Sequence, residues 1–524
     1  MKSNPVMAAA AFVVVLIHLL VWPHVLAARK KPDRKNDKHH HYQLIDMGTF
    51  GGPISSINFP LWLGTLNNHG VATGWSSTSI PTSSTSNPLV CGGIDGAVPF
   101  ITHTFAWRNG VVSDLGSLGG ADYCSEPFWV NDRGDIVGAS ENGLIDQQFF
   151  GFNQMHPVLW RNGEIIDLGT LGGNQGGAWG INSRGQIAGD STTSIPDPYC
   201  FFGTVQIRAF LWEKGKMRDL GTLGGNCASP GFMTIDAAVN TLNERGQVVG
   251  ASTTSTIPNP LTGVPTWAPF LWEEGKGMTN LGTLGGAWGG AQGINNRGQV
   301  IGQSSIAADP AACNAFPDNG DLNCHAFLWD KGTLTDLTTS TIGGSFSNPK
   351  NINDAGEIVG AGAFPSKPFP QAFLWIKGVA TDVGNLGGCN SSAQAINSES
   401  QVVGLAVSCD GSLRAFLWEK GSIVDLNTLV PPGASLHLTA AAFLNDRGEI
   451  VGDGLLPNGD NHGFLLIPCD ENHPGVEGCD YSMVAAEALP AAAHAPREAF
   501  GHMPPAAPWQ RSVRFQFPEF GSHN

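Results

Sequence analysis

The chain is poor in charge: Asp, Glu, Lys and Arg make up only 14% of its 524 residues, well under the usual quarter. It has only four tyrosines, and it lacks the Lys-, Glu- and Leu-rich stretches from which long helices are built. No helix-length 3.6-residue periodicity interrupts its body, which argues against a helical array. Basic residues are scarce, 28 against 44 acidic, for a net charge of −16. That balance argues against a nucleic-acid binder, which carries a basic footprint. After residue 22 no apolar run reaches membrane-spanning length. What the chain has in excess is glycine, 69 residues, together with 15 Trp and 27 Phe. With apolar residues at 41%, this mix suits many short strands and tight turns around a sizeable core.

The ends differ from the body. Residues 1–28 read as a signal peptide: Lys2 supplies the positive start, Val6 to Trp22 an apolar run, and Val25-Leu26-Ala27 a small-residue cleavage site. An uncleaved anchor is the alternative. Residues 29–41 form a basic, His-containing arm of charge +4, expected to be flexible, and its triplet His39, His40, His41 offers at most a weak metal site. Residues 480–524 are Ala- and Pro-rich and read as a disordered tail. The ends hold ten of the basic and six of the acidic residues, so the body, 42–479, stands near −20 and repels polyanions.

That body is one unit repeated eight times. An Asn-x-x-Gly turn places its Gly at Gly70, Gly134, Gly185, Gly246, Gly298, Gly356 and Gly448, and the remaining copy, Asn397 to Ser400, has lost it. An aromatic run ends at Trp107, Trp160, Trp212, Trp272, Trp329, Trp375 and Trp418, and in degenerate form at Leu466. An Asp-Leu-Gly signature begins at Asp46, Asp114, Asp167, Asp219, Asn280, Asp336, Asp382 and Asp425, with variation in its later letters. Each unit reads as four strands, here a to d: a segment ending in Ile-Asn, a second after the Asn-x-x-Gly turn, the Ala-Phe-Leu-Trp run, and a strand ending in Asp-Leu-Gly. Four strands per unit, at spacings of about 43 to 68 residues, predict an all-β fold, an eight-bladed β-propeller. An open β-solenoid is the competing architecture. The first copy opens with a d-type strand (Tyr42 to Gly48) and the last ends on a c-type strand (Gly463 to Pro468), so an N-terminal strand is expected to complete blade 8.

The run His325-Ala326-Phe327-Leu328-Trp329, with Asp-Leu-Gly-Thr-Leu-Gly-Gly at 167–173 and 219–225, resembles the bacterial extracellular HAF repeat family over nearly all of 42–468. Strict His-Ala-Phe occurs only at His325. The resemblance implies export and a repeat architecture, and brings no catalytic residues or cofactor with it.

Ten cysteines in an exported chain imply disulfides. Cys91, Cys200 and Cys409 lie in b–c loops, and Cys124, Cys227 and Cys389 follow the Gly-Gly that ends strand d. Both kinds of loop emerge on one face of a blade, which pairs Cys91–Cys124, Cys200–Cys227 and Cys389–Cys409. Cys313–Cys324 would staple one long loop and Cys469–Cys479 the start of the tail. No Cys-x-x-Cys pairs suggest a metal.

Catalytic signatures are weak. The recurring Asp of Asp-Leu-Gly is expected to be a turn or strand-end residue, since an acid and a base need two different environments at one place. Asp197, Asp318, Asp321, Asp410 and Asp460 are the acids of irregular loops, and no spacing selects a glycosidase pair among them. No Gly-x-Ser-x-Gly elbow is present. Asp318 to Asn323 lacks the distal Glu of a calcium loop and reads as a surface turn. Two features suit binding. Blades 1, 3 and 4 share Ser/Thr-Ile-Pro loops (Ser77 to Pro81, Thr193 to Pro198, Thr254 to Pro260). A polar residue also opens most c strands: His103, His156, Arg208, His325, Gln371, Arg414 and His462. Both features have architectural readings as well, as blade caps and strand-end hydrogen bonds. The sequence therefore predicts a secreted, non-catalytic binding module for an extracellular glycan or protein, without a cofactor. The alternative is an exported carbohydrate-active hydrolase or lyase with loop carboxylates at the mouth of the ring.

Overall fold

The computed structural model describes residues 38–57, 64–91, 98–231, 240–307 and 324–485. The expected signal peptide lies outside them. The chain forms eight four-stranded antiparallel sheets, one per repeat, closed into an eight-bladed β-propeller. Blade 1 comprises Gly51–Ser56, Ala72–Pro81, Phe100–Arg108 and Val111–Asp114. Blade 3 comprises Gly176–Ile181, Ile187–Pro196, Val205–Glu213 and Lys216–Asp219. The a strands of successive blades lie against one another, so they line the axis.

The repeat letters now have physical reasons. Phe105, Phe210, Phe270, Phe327, Phe373, Phe416 and Phe464, all on c strands, are fully buried. Opposite each one on strand b stands a glycine, as in Gly302↔Phe327 and Gly452↔Phe464. A Cβ on Gly302 would come within 2.7 Å of the Phe327 ring, so the ring occupies the space a side chain would need.

Closure follows from the ends. Tyr42–Asp46 pairs antiparallel with Asn461–Pro468, from Tyr42↔Pro468 to Asp46↔Phe464, and completes blade 8. Tyr42 and Met47 are buried at this seam. A second closure runs through side chains. The amide of each Asn-x-x-Gly asparagine donates to the backbone carbonyl of the same asparagine in the next blade: Asn67 to Asn131, then Asn182, Asn243, Asn295, Asn353, Asn397, Asn445, and from Asn445 back to Asn67. The eight distances are 2.8–3.2 Å. An open solenoid would leave the last bond unmade. Seven of these turns use Gly at positive φ, and Ser400, with φ 61°, takes that conformation in the eighth. Its hydroxyl is held by Glu357 of the preceding blade at 2.7 Å.

The a–b and c–d turns share one face (the turn face), and the b–c and d–a connections share the other (the loop face). Both described chain ends lie on the turn face. There the sequence boundaries shift. Lys38–His40, placed by sequence in a flexible arm, pairs with Met483–Ala485, placed in the tail. His39 is buried, with Nδ1 2.8 Å from Oε1 of Glu419, whereas His41 reaches toward Asp480 at 3.8 Å. The triplet is thus divided between different partners. Three residues, one of them charged, are too short a run to show a strand period.

Candidate functional site

The Asp-Leu-Gly signature builds the loop-face rim. In every blade its Asp or Asn carboxyl or amide oxygen accepts the backbone N–H two residues on, from Asp46–Gly48 through Asn280–Gly282 to Asp425–Asn427, at 2.8–2.9 Å. This is an Asx turn. In the Thr-Leu-Gly-Gly that follows, Thr170 Oγ1 donates to the Gly173 carbonyl and the Leu171 N–H donates to Ser191 Oγ of the next blade. The motifs that end blades 3 and 4 repeat both bonds to blades 4 and 5. The motif links one blade to the next.

The seven polar residues that open c strands are spread round the ring, one to a blade, and mostly face that same Asp. His103, His156, His325 and His462 place Nδ1 2.8–2.9 Å from Asp114, Asp167, Asp336 and Asp46. Arg414 lies 3.7 Å from Asp425. Arg208 reaches Gln206, and Gln371 donates to the carbonyls of Phe369, Pro370 and Cys389. Burial raises the carboxyls of Asp114, Asp167 and Asp336, but the bonds from histidine and backbone outweigh it and hold them below the usual range. The constant offset of 11 residues between His103 and Asp114, His156 and Asp167, and His325 and Asp336 was a sequence signal for this pairing.

The loops above the rim are braced. Disulfides join Cys91–Cys124, Cys200–Cys227 and Cys389–Cys409, and Cys469–Cys479 pins the segment after blade 8. Cys324 is also disulfide-bonded, and Cys313 lies outside the described residues. Disulfides of this kind suggest an extracytoplasmic location. Beneath the first staple, Glu141 accepts the N–H groups of Asn87 and Cys124 and the Asn153 amide. Burial raises its pKa against these bonds. Cys91, Cys124 and Glu141, and likewise Asp197, Cys200 and Cys227, stand close enough to hold a cation, but disulfide sulfurs are not thiolate ligands.

The described loop acids stand apart and are held by local hydrogen bonds. Asp197 is buried and accepts from Asn226 and the Tyr199 N–H, exposed Asp410 accepts from Ser412, and the Asp460 carboxylate accepts from the Asn458 amide. They belong to blades 3, 7 and 8, and Asp318 and Asp321 lie outside the described residues. A cavity between blades 3 and 4, lined by Asp197, Tyr199 and Asn226 among others, has about 10 Å³, enough for a single water. A depression of about 220 Å³ at Arg297, Gln299, Asp330 and Lys331 lies on the turn face and is smaller than ordinary ligand pockets.

The acids with strongly raised pKa values sit on the inner strands, which the sequence reasoning did not single out. Glu126, on strand a of blade 2, is fully buried, one carboxyl oxygen makes no hydrogen bond, and burial pushes its pKa up to about 8. Asp453 of blade 8 is raised to about 6, burial outweighing its bonds to Ile57, Ser56 and Asn461. Its carboxylate accepts the N–H of Ile57 and so ties blade 8 to blade 1. In blade 3, Asp190 holds the Trp179 indole N–H, and Trp179 stacks on Phe128 at 4.4 Å. These are contacts within and between neighbouring blades.

Together these features define a disulfide-braced, eight-bladed β-propeller. No family model matches the sequence, and no curated protein is similar to it. Solved structures of similar shape include a Mycobacterium tuberculosis puromycin-hydrolysing peptidase, at 11% identity over 79% of this chain and 62% of that one, TM-score 0.38. The Pyrococcus horikoshii acylaminoacyl peptidase matches at 10% over 78% and 59%, TM-score 0.39. An ulvan lyase matches at 10% over 81% and 95%, TM-score 0.34. The chain spans about three-fifths of the length of the two peptidases. At such identities the likeness concerns the fold alone. No helix of the described residues is long and apolar enough to cross a membrane.

Proposed function

We propose that this is a secreted, non-catalytic binding module of the HAF repeat kind, which meets an extracellular glycan or protein through its loop face. The observation that carries the reading is the placement of three disulfide-braced sets of loops on that one face. Rigid loops on a rigid ring present a surface at low entropic cost. A hydrolase or lyase would need two acids in contrasting environments at the mouth of a pocket, and the loop acids instead hold their own loops. The test is an array of glycans and cell-wall fractions probed with the mature protein, run beside a hydrolase and lyase screen. Saturable retention without turnover is expected. Turnover, or no retention on any surface, would overturn the reading.

A further inference from the structure

The loop face is not uniform. Its sector over blades 2 to 4 carries Leu144, Ile145, Ile195, Tyr199, Ile257 and Leu261, each between 38% and 75% exposed. The sector also holds a buried aromatic cluster of Phe149, Trp267 and Trp288, and Cys200–Cys227 staples its loops. The same sector is almost free of charge. Connections 142–152, 169–175, 193–204, 221–227 and 254–266 contain no Lys, Arg, His or Glu. Their two acids, Asp146 and Asp197, are buried and hydrogen-bonded to Asn174, Gln175 and Asn226.

We propose that this sector docks a second copy of the chain, face to face. The proposal rests on the reading of the loop face as the interaction surface and names its partner. A chain of net charge −16 repels its own copies over most of its surface, whereas the connections of this sector expose no charged side chain of their own. A twofold pair needs a patch whose chemistry matches itself, and apolar loop tips meet that requirement. Both described chain ends leave from the opposite face, so the pair forms without displacing them.

The test is the mass of the full chain in solution, by light scattering on a sizing column and by sedimentation velocity. The unaltered protein is expected at the mass of two chains at ~10 μM. Added salt should strengthen the pairing, because it screens the repulsion between two acidic bodies. Ile257→Ser with Leu261→Ser should raise the dissociation constant at least ~10-fold. Both side chains are more than two-thirds exposed, so the fold should tolerate the change. Val379→Ser, exposed on the turn face, should leave pairing unchanged. A one-chain mass up to ~100 μM, or pairing unchanged in the double variant, overturns the proposal. A negative array with intact pairing would instead remove only the external ligand.

Discussion

Replacing Glu126 by Gln should make the protein more stable, and the gain should grow with pH. Folding moves this carboxyl from its ordinary value of 4.5 to about 8 by burial alone. A group whose folded pKa is raised is favourable while it holds its proton, so its contribution is intact below about pH 4.5. That contribution falls as pH rises and is lost once pH has passed 8. The shift of about 3.5 units corresponds to about 5 kcal/mol across the window, of which about 3 kcal/mol is already lost at pH 7. Gln has the same shape and no proton to lose. For a folded body of roughly 440 residues the unfolding entropy is about 0.9 kcal/mol per kelvin. The two proteins should therefore melt within about 1 °C of each other at pH 5 and about 5 °C apart at pH 9. Scanning calorimetry of both proteins at pH 5, 7 and 9 measures this, and other titrating groups such as Asp453 cancel between them. A melting difference that stays constant with pH would show that Glu126 does not titrate in this window.

Deleting residues 42–48 should lower the melting temperature sharply and promote aggregation, because it bares the Asn461–Pro468 edge and releases buried Tyr42 and Met47. Light scattering during a thermal ramp reads both effects, and a melting temperature equal to that of the intact chain would refute the seam. Asp167→Asn keeps an acceptor for the Gly169 N–H and weakens only the His156 pair, so a loss of about 1 kcal/mol or less is expected in denaturant titration. A loss above about 3 kcal/mol would mean that the pair does more than hold a strand end. Asn295→Ala removes a buried donor to Asn353 and acceptor bonds to Arg297 and Gln299, and should cost about 1–3 kcal/mol in the same titration. A neutral result would show that the asparagine ring is incidental to closure.

The eight blades were legible because Asn-x-x-Gly, Ala-Phe-Leu-Trp and Asp-Leu-Gly each mark a turn or a buried strand with residues few alternatives can replace. The seam was legible because two incomplete units complement each other. Three disulfide pairings followed from which loops share a face, and Cys469–Cys479 from its place at the start of the tail. The ring of asparagine bonds was not, since a sequence repeat shows that a residue recurs but not which neighbour it bonds. The pairing of Lys38–His40 with Met483–Ala485 joins residues more than 440 apart in a register that no local pattern records. The burial of Glu126 was hidden as well: a lone acid between Ser125 and Pro127 looks like an exposed position until neighbouring inner strands cover it. The apolar sector was missed because Ile195 and Ile257 were read as parts of the shared Ser/Thr-Ile-Pro loops, a binding surface or blade caps, rather than as apolar contacts.

The seam also sets a timetable. The strand Tyr42–Asp46 is among the first parts of the fold to be synthesised, yet its sheet partner among the described residues is Asn461–Pro468. At ~5–20 residues per second, about 20–80 s pass before that partner has been made. Blades 1 to 7 are local in sequence and can form in order, but the ring cannot lock until the last c strand arrives. A chain that stops short of Pro468 would hold all seven complete blades and still carry an unpaired strand at one end and an open sheet at the other. Synthesis through the last c strand is thus checked by the architecture itself, since the two ends of the fold certify each other.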